Sequence, residues 1–253
     1  CNHNSLGVRV VDYLEERYPD FTGLNLSYDV REGIIRHSTP FDQPGLSQPF
    51  DADRSTILEV QVVDLADEIA YDNHDLDDGI TSGLIKQRDL RRIKLWHDKE
   101  RSIRSRYPRV KDDVLKYQTI SGLINDQVSD VIAQTETNIK RLKIRTMKDV
   151  LGASERIVAA SKRMQAQRTS MREFLMENLY HHYRVVRMST KAYRVITNLF
   201  QNYFDKPEQL PPNTQARLKK GEKHRVISDY IAGMTDRYAL DEYKKFFEPY
   251  ERD

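Results

Sequence analysis

The sequence is poor in cysteine and in long apolar runs. Cys1 is the single cysteine, so no disulfide can form within the chain, and we expect a reducing, cytoplasmic setting. The longest apolar runs, such as residues 157–160, are far shorter than the roughly 20 residues that span a bilayer. A positively charged start followed by an apolar stretch, as in a secretory signal, is also lacking. We therefore predict a protein that does not cross a membrane.

Glycine is scarce as well, with 10 among 253 residues, whereas charged residues make up 32%. An all-β fold usually carries more turn residues and fewer Lys, Glu and Arg, so the composition predicts an all-α or mainly α chain. Hydrophobic residues, at 38%, suffice for one sizeable core or two modest ones. The first residue is not Met and residues 8–14 already have a helical pattern, so we expect the chain to begin inside a domain.

Charge is distributed unevenly along the chain. Residues 1–80 carry 17 acidic and five basic side chains, whereas the remainder carries 22 acidic and 36 basic ones. An acidic block beside a basic remainder fits a metal site next to a polyanion site. Dispersed charge of this kind is equally typical of a solvated surface, so the pattern alone does not decide between them.

Apolar residues at three- and four-residue steps predict most of the secondary structure. A segment with three prolines, residues 38–54, is expected to be a surface loop, and a second proline-marked loop is expected at 206–212. A basic stretch, residues 86–111, separates the acidic helix from the helices that follow it. The predicted helices cover residues 6–17, 28–37, 56–84 with a break at Gly79, 111–143, 168–183, 189–204 and 223–247.

The most informative segment is residues 58–79, which reads LEVQVVDLADEIAYDNHDLDDG. At about 100° per residue, one helix face is apolar and the opposite face collects Asp67, Tyr71, His74 and Asp75. No Lys or Arg lies between positions 54 and 86, so the carboxylates lack local cationic partners. A divalent metal would offset their repulsion, although an acidic surface helix is the simpler interpretation.

The string ADEIAYDNHDLDDG, preceded by ILEVQVVDL, resembles a motif of the bacterial dGTPase-like HD-domain deoxynucleoside triphosphate triphosphohydrolases. Further blocks resemble the same family: NHNSLGVRVVDYLEERYPDFTGLNLSYDVREGIIRHS, REFLMENLYHHYRV and DYIAGMTDRYAL. The resemblance covers nearly the whole chain and is least distinct in the basic middle.

The resemblance assigns roles to five residues. It makes Asp67 the last ligand of the family's H…HD…D metal set and implies that Tyr71 and Asp75 contact the substrate's phosphates and sugar. It places His3 near the phosphates, where an ordinary polar helix start is the alternative. It implies that Tyr180 packs against the deoxyribose, where a simple core tyrosine is the alternative. No catalytic residue of this chain is assigned, and the family's other ligands, a His and a His-Asp pair, are expected upstream of the NHN block.

Two His-Asp dipeptides in the chain are not expected to be the missing pair. His74-Asp75 coincides with the family's phosphate-contacting position, and His97-Asp98 lies in the basic stretch, where a surface location is expected. A rival H…HD…D set can be assembled from His37, His74, Asp75 and Asp112, but it would leave Asp67 without a role.

The resemblance also implies an architecture and an activity. Residues 1–85 would form the C-terminal part of an HD-domain helical bundle, residues 86–111 a basic connection, and residues 112–253 a helical region that completes the substrate site and the oligomer contacts. A divalent metal, Mg²⁺, Mn²⁺ or another transition metal, would promote water attack at the α-phosphorus of a dNTP, giving deoxynucleoside and triphosphate. Homo-oligomers, frequently hexamers, and dNTP effectors are implied as partners.

Two other functions remain open at this point. The chain could be a catalytically incomplete helical module that binds nucleotide or single-stranded DNA, supported by the basic stretch with Trp96 and Tyr107 interleaved. It could also be a helical scaffold, which leaves the Asp67 face unexplained. Phosphate-binding glycine loops are lacking, so basic side chains would have to hold a triphosphate; the candidates are Lys86, Arg88, Arg91, Arg92, Arg217, Lys219, Lys220, Lys223 and Arg225.

Overall fold

The computed structural model describes residues 3–37 and 55–250, and the loop predicted for residues 38–54 lies outside them. Within those ranges the chain is all-α, as predicted. The one β feature that they contain is an isolated parallel bridge between Glu16 and Gly23. By its internal contacts the chain divides into two compact units, Cys1–Leu179 and Tyr180–Asp253. The proposed division at residues 85 and 111 stays a prediction.

Two short helices begin the first unit. Helix α1, His3–Arg9, continues into a π-helical turn, Val10–Leu14, so the predicted helix 6–17 changes its hydrogen bonding halfway and ends before Glu15. Helix α2, Tyr28–Arg36, is capped by Ser27, whose hydroxyl accepts a hydrogen bond from the backbone N–H of Val30.

Helix α3, Leu58–Thr81, is the acidic helix, and it runs unbroken through Gly79. The break predicted there is wrong, because this glycine serves close packing instead. A Cβ at position 79 would lie 2.5 Å from Cδ1 of Ile85, on the chain that returns past the helix end. The lack of a side chain at Gly79 therefore lets the segment that follows α3 pass close to the helix.

The basic stretch is mostly helical. A 3₁₀ turn, Gln87–Arg92, leads into α4, Lys94–Arg106, which packs along α5, Asp112–Arg141. Leu95 and Trp96 are buried in this packing, so the basic residues occupy the outer faces of an ordinary amphipathic helix.

The first unit closes with α6, Met147–Leu151, and α7, Lys162–Leu175, followed by a π-helical turn, Met176–Tyr180. A capping box of Thr146 and Asp149 starts α6, and Ser161 caps α7. Helix α7 packs against both α3 and α4. The side chains that are almost completely buried in this unit include Ile35, Leu76, Leu90, Trp96, Leu115, Leu123, Ile157, Met171 and Leu175.

The second unit has its own core. Its helices are α8, Tyr183–Asp205, α9, Pro212–Leu218, α10, Lys223–Ala232, and α11, Asp236–Phe247. The single helix predicted for residues 223–247 is divided in two at Gly233, and Thr235 caps the second half. The core joins α8, α10 and α11 through Val195, Leu199, Tyr203, Leu210, Ile227, Ile231 and Ala239. No helix in the described ranges is long and apolar enough to span a membrane.

Candidate metal-binding face of helix α3

Asp67 lies on α3 at the edge of a cavity of about 500 Å³ between α1, α2 and α3. Its side chain is 52% exposed. His3, His37 and Asp64 line the same cavity, together with mainly apolar atoms of α2 and α3. The structure therefore brings two of the residues that the resemblance singled out, Asp67 and His3, to one cavity.

Asp64, one helical turn before Asp67, is held very differently. Its carboxylate is 5% exposed, and both oxygens have partners: Oδ1 lies 2.7 Å from Nδ1 of His37, and Oδ2 lies 2.5 Å from Nη2 of Arg156. The second imidazole nitrogen of His37, Nε2, lies 3.4 Å from Oδ2 of Asp67. Asp64 and Arg156 were not proposed as site residues from the sequence, although the three-residue spacing of Asp64 from Asp67 indicates a shared face, and His37 was considered only in the rival ligand set.

Other carboxylates of α3 are neutralised by arginines of α7. Glu68 and Asp72 both accept hydrogen bonds from Arg168 and Arg172 at 2.7 to 3.1 Å. Burial opposes the charge of Arg172, but the hydrogen bonds to Asp72 and Glu68 outweigh it and raise its pKa. The carboxylates of this helix lack cationic partners nearby in the sequence, as expected, but these two have partners about 100 residues further along the chain.

The apolar face that was predicted for this helix is only partly buried. Ile69 and Leu76 belong to the core, but Val62 is half exposed. Asp72 and Asn73 are buried as well: Asp72 pairs with arginines of α7, and the side-chain amide of Asn73 donates to the carbonyl oxygen of Ile69. The helix therefore packs through ion pairs as well as through apolar contacts.

The remaining predicted site residues occupy other surroundings. Tyr71 is about half exposed and Asp75 is half-buried, one and two turns after Asp67 on α3, and neither lines the cavity described above. Tyr180 is half-buried and ends the π-helical turn at the start of the second unit. The roles proposed for these three residues stay predictions.

The described part of the chain contains no group of three or more His, Cys, Asp or Glu residues able to hold a metal ion. Asp67 can therefore supply only part of a coordination shell with the residues described. The rival set is not assembled, since Asp112 is strongly exposed and pairs with Arg104 at 3.3 Å. His97 and Asp98 lie on the surface of α4, where the hydrogen bond from Lys94 lowers the pKa of Asp98.

The basic stretch has fewer exposed aromatic side chains for stacking on bases than its sequence indicated. Trp96 is completely buried, and its Nε1 donates to Glu100 at 3.1 Å, so its ring cannot stack on a base. Glu100 also accepts from Arg91 and Arg104. Tyr107 is half exposed, with the guanidinium of Arg106 5.4 Å from the centre of its ring.

Comparison with known proteins first gives a class. Residues 158–245 match the model of the phosphohydrolase-associated domain. That region covers α7 and nearly all of the second unit.

The relatives are more specific. The chain is 45% identical over 251 residues to a "Deoxyguanosinetriphosphate triphosphohydrolase-like protein" of Geobacter sulfurreducens, which covers 99% of the chain and 65% of that relative. A protein of the same name from Azoarcus sp. is 42% identical over 248 residues, covering 97% of the chain and 65% of the relative. The chain is thus a relative of the deoxyguanosinetriphosphate triphosphohydrolase-like proteins over almost all of its length, and the predicted resemblance is confirmed. It spans 65% of the length of these two relatives.

Proposed function

We propose that the protein hydrolyses deoxynucleoside triphosphates to deoxynucleoside and inorganic triphosphate, with a divalent metal to which Asp67 contributes one ligand. The observation that carries the proposal is the contrast along α3. Asp64, Glu68 and Asp72 are engaged by arginines, whereas Asp67 has no Lys or Arg partner among the described residues and faces the cavity. The names of the relatives support the substrate class.

Asp67 has the chemistry that a ligand for Mg²⁺ or Mn²⁺ needs, since hard divalent cations prefer carboxylate oxygens. The other ligands would come from outside the described residues. A bound ion would neutralise charge that develops on phosphoryl oxygens and lower the pKa of a bound water. The chain's own contribution is to place the Asp67 carboxylate in the lining of the cavity that α1, α2 and α3 form.

Tyr71 and Asp75 extend the proposed site along α3. At 1.5 Å per residue they lie about 6 Å and about 12 Å beyond Asp67 along the helix axis. A substrate with several phosphates and a sugar is long enough to reach both positions from an ion at Asp67. His3 shares the cavity with Asp67 and is proposed to approach the phosphates.

We also propose that the protein forms a homo-oligomer, a hexamer by analogy with the family, and that this oligomer responds to dNTP effectors.

Turnover by the Asp67→Ala variant tests the proposal. In the full-length protein with dGTP and Mn²⁺, we expect turnover to fall by more than about 100-fold. A loss of that size exceeds the roughly 10- to 100-fold loss that is typical when a residue that only supports a metal ligand is replaced. Asp78→Ala is the matched control, because Asp78 is an exposed carboxylate on the same helix, and it should turn over normally. Asp67→Ala turnover equal to that of the wild type would refute the assignment.

A second candidate function, binding of single-stranded DNA or another polyanion, is favoured by α8. Arg184, Arg187, Lys191 and Arg194 follow one another at three- and four-residue steps and line a shallow groove of about 690 Å³. The helix has no acidic residue before Asp205. Within the described ranges, Arg187, Lys191 and Arg194 form no ion pair. The partner of this surface would be a chain of phosphates.

Salt dependence tests this second candidate. Replacing Arg187, Lys191 and Arg194 together by Gln should weaken binding of a single-stranded oligonucleotide. It should also reduce the slope of log K against log salt by about 2, because each lost phosphate contact contributes about 0.7 for single strands. Fluorescence anisotropy measures both quantities. An unchanged slope would show that these three cations of α8 do not bind phosphates.

A further inference from the structure

The outward face of α5 carries no charge over most of its length. Nine positions between residues 114 and 133 are exposed, and at about 100° per residue they follow one line along the helix. Four of them, Val114, Tyr117, Val128 and Ile132, are apolar or aromatic and are 41 to 58% exposed. The other five positions, which complete this uncharged stripe, are Gln118, Ser121, Asn125, Ser129 and Ala133.

Such a face contrasts with the rest of a chain in which 32% of the residues are charged. On α4, which packs beside α5, four of the six exposed positions are charged: Lys94, Asp98, Arg101 and Arg106. A helix face that stays in water normally carries such charges, whereas the core of a protein–protein interface is depleted of them. The uncharged stripe, roughly 30 Å long at 1.5 Å per residue, therefore indicates a contact with another protein surface.

The two ends of the uncharged stripe are followed by opposite charges. Just before its first residue, Arg106 and Arg109 line a shallow groove of about 700 Å³ together with Tyr107 and Val114. Just beyond its last residue, Glu136 is exposed on the same face of the helix. A partner that fits this surface therefore has an uncharged middle, a carboxylate at one end and a cation at the other.

A second copy of α5, lying in the antiparallel direction, meets these conditions. When Val114 lies opposite the partner's Ile132, Glu136 lies opposite position 110 of the partner and beside the partner's Arg109. The arrangement has twofold symmetry, so each contact is made twice. A parallel pair would instead place Arg109 against the partner's Arg109. Charge complementarity therefore favours the antiparallel direction.

We propose that the uncharged stripe of α5 is a self-association surface, on which a second copy of this chain packs its own α5 in the antiparallel direction. This inference rests on the homo-oligomer of the proposed function and names one of its contact faces. The uncharged stripe supplies the buried centre of the contact. The exposed pairs of Arg109 with the partner's Glu136 lie at its rim, where they set the direction and add little to stability.

A charge placed within the stripe tests the surface. In the full-length protein, Ile132→Glu buries an unpaired carboxylate twice in each pair of copies, so we expect the dissociation constant to rise by more than about 100-fold. Analytical ultracentrifugation over a range of protein concentrations measures it, and the unfolding temperature is recorded alongside. Met147→Glu is the matched control, since Met147 on α6 is 52% exposed, close to the 56% of Ile132, and it should associate like the wild type.

Charge reversal tests the direction of the pair. Arg109→Glu and Glu136→Arg each place like charges opposite one another at both ends, so each should weaken association by about 10-fold. The double variant, Arg109→Glu with Glu136→Arg, restores opposite charges and should recover most of the lost association. A double variant at least as weak as the single ones overturns the antiparallel pairing.

Three further results overturn the inference. Association of Ile132→Glu equal to that of the wild type shows that other faces join the copies, and it leaves the proposed homo-oligomer intact. A lower unfolding temperature of Ile132→Glu with unchanged association shows that another part of the same copy covers the stripe. A wild-type protein that stays monomeric at every concentration removes both this surface and the proposed homo-oligomer.

Discussion

Asp64 and Asp67 lie one helical turn apart on α3, yet their carboxylates differ in burial and in hydrogen-bond partners. Asp64 is buried and fully paired, so its carboxylate is part of the framework. Asp67 is half exposed at a cavity and contacts only an imidazole edge among the described residues. A metal ion needs a carboxylate whose oxygens remain accessible, and Asp67 satisfies this condition.

In the second unit, the hydroxyl of one buried tyrosine stabilises the fold through a hydrogen bond to a carboxylate. Tyr203 is completely buried, and its hydroxyl donates to Oε2 of Glu242 at 2.7 Å. Burial, together with this neighbouring carboxylate, raises the pKa of Tyr203 far above its ordinary value. The hydroxyl therefore stays protonated and keeps Glu242 satisfied.

Tyr203→Phe should lower the free energy of unfolding by about 1–3 kcal/mol, because the Glu242 carboxylate, which is only 12% exposed, loses a hydrogen-bond donor while the ring packing is kept. Urea denaturation measures the change. Tyr193→Phe on the same helix is the control, since Tyr193 is 75% exposed, and it should be neutral. Equal stability of the Tyr203→Phe protein and the wild type would contradict the role given to this hydroxyl.

Single residues of the candidate site were only partly predictable. Asp67 could be proposed from the sequence because the residue types of its motif and their spacing lie within one short segment. Arg156, Arg168 and Arg172 could not be assigned to their carboxylate partners, because 92 to 104 residues separate them and only the packing of α7 and its preceding segment on α3 brings them together. His37 was considered only as a member of a rival ligand set.

Among the helices, α3 and α7 are joined by a buried ionic network. Asp72, Glu68, Arg168 and Arg172 are mutually hydrogen-bonded and mostly shielded from water. Removing one partner from such a group leaves an uncompensated buried charge, which costs more than the pair contributes. The network therefore fixes the position of α7 relative to the acidic helix.

Asp72→Asn should reduce the free energy of unfolding by about 3 kcal/mol, because Arg168 is left with a single remaining carboxylate. Thermal and urea unfolding measure this loss. The exposed pair of Lys94 and Asp98 provides the control, and Asp98→Asn should change little because solvent screens that pair. If both substitutions cost the same, the network does not hold the helices together.

The contact between α4 and its preceding 3₁₀ turn predicts a pH dependence. Burial opposes ionisation of Glu100, but hydrogen bonds from Arg91, Arg104 and Trp96 outweigh it and hold the pKa of Glu100 below its ordinary value of 4.5. A carboxyl whose pKa is depressed on folding stabilises the protein above its unfolded pKa. That stability is lost as the pH falls below 4.5 through the folded-state value.

Glu100→Gln should therefore flatten the dependence of unfolding free energy on pH in the acidic range below 4.5, while lowering stability near neutral pH. Denaturation at a series of pH values measures the slope. Glu136→Gln, at an exposed position of α5, should leave the slope unchanged. An acid slope in Glu100→Gln as steep as in the wild type would rule out this contribution.

Helix existence was predicted well from periodicity, and boundaries less well. The acidic helix and α5 fall within two or three residues of their predicted ends. Gly79 lies inside α3, where Ile85 leaves no room for a side chain, whereas Gly233 separates α10 from α11. The same residue type therefore has different consequences at the two positions, and residue type alone could not predict which one applies.

For the complete chain, the charge division seen in the sequence has a structural counterpart. The acidic residues of α3 face arginines of α7, which converts part of the apparent charge imbalance into internal ion pairs. Within the described ranges, Arg187, Lys191 and Arg194 of α8 form no such pairs. Composition could predict the imbalance but could not say which charges would be neutralised inside the protein.

The family resemblance could be read from the sequence because its blocks are long and lie along nearly the whole chain. The substrate site could not be completed in the same way, since the described residues contain no full set of metal ligands. Only contacts in three dimensions show that His37 lies between Asp64 and Asp67.

The central claim is metal-dependent release of triphosphate, and identification of the phosphate product tests it most directly. The full-length protein is incubated with dGTP and Mn²⁺, and the phosphate-containing products are separated by ion chromatography. We predict equimolar deoxyguanosine and inorganic triphosphate, with no product when the metal is chelated. Release of pyrophosphate or orthophosphate in place of triphosphate, or turnover that persists without metal, would contradict the account.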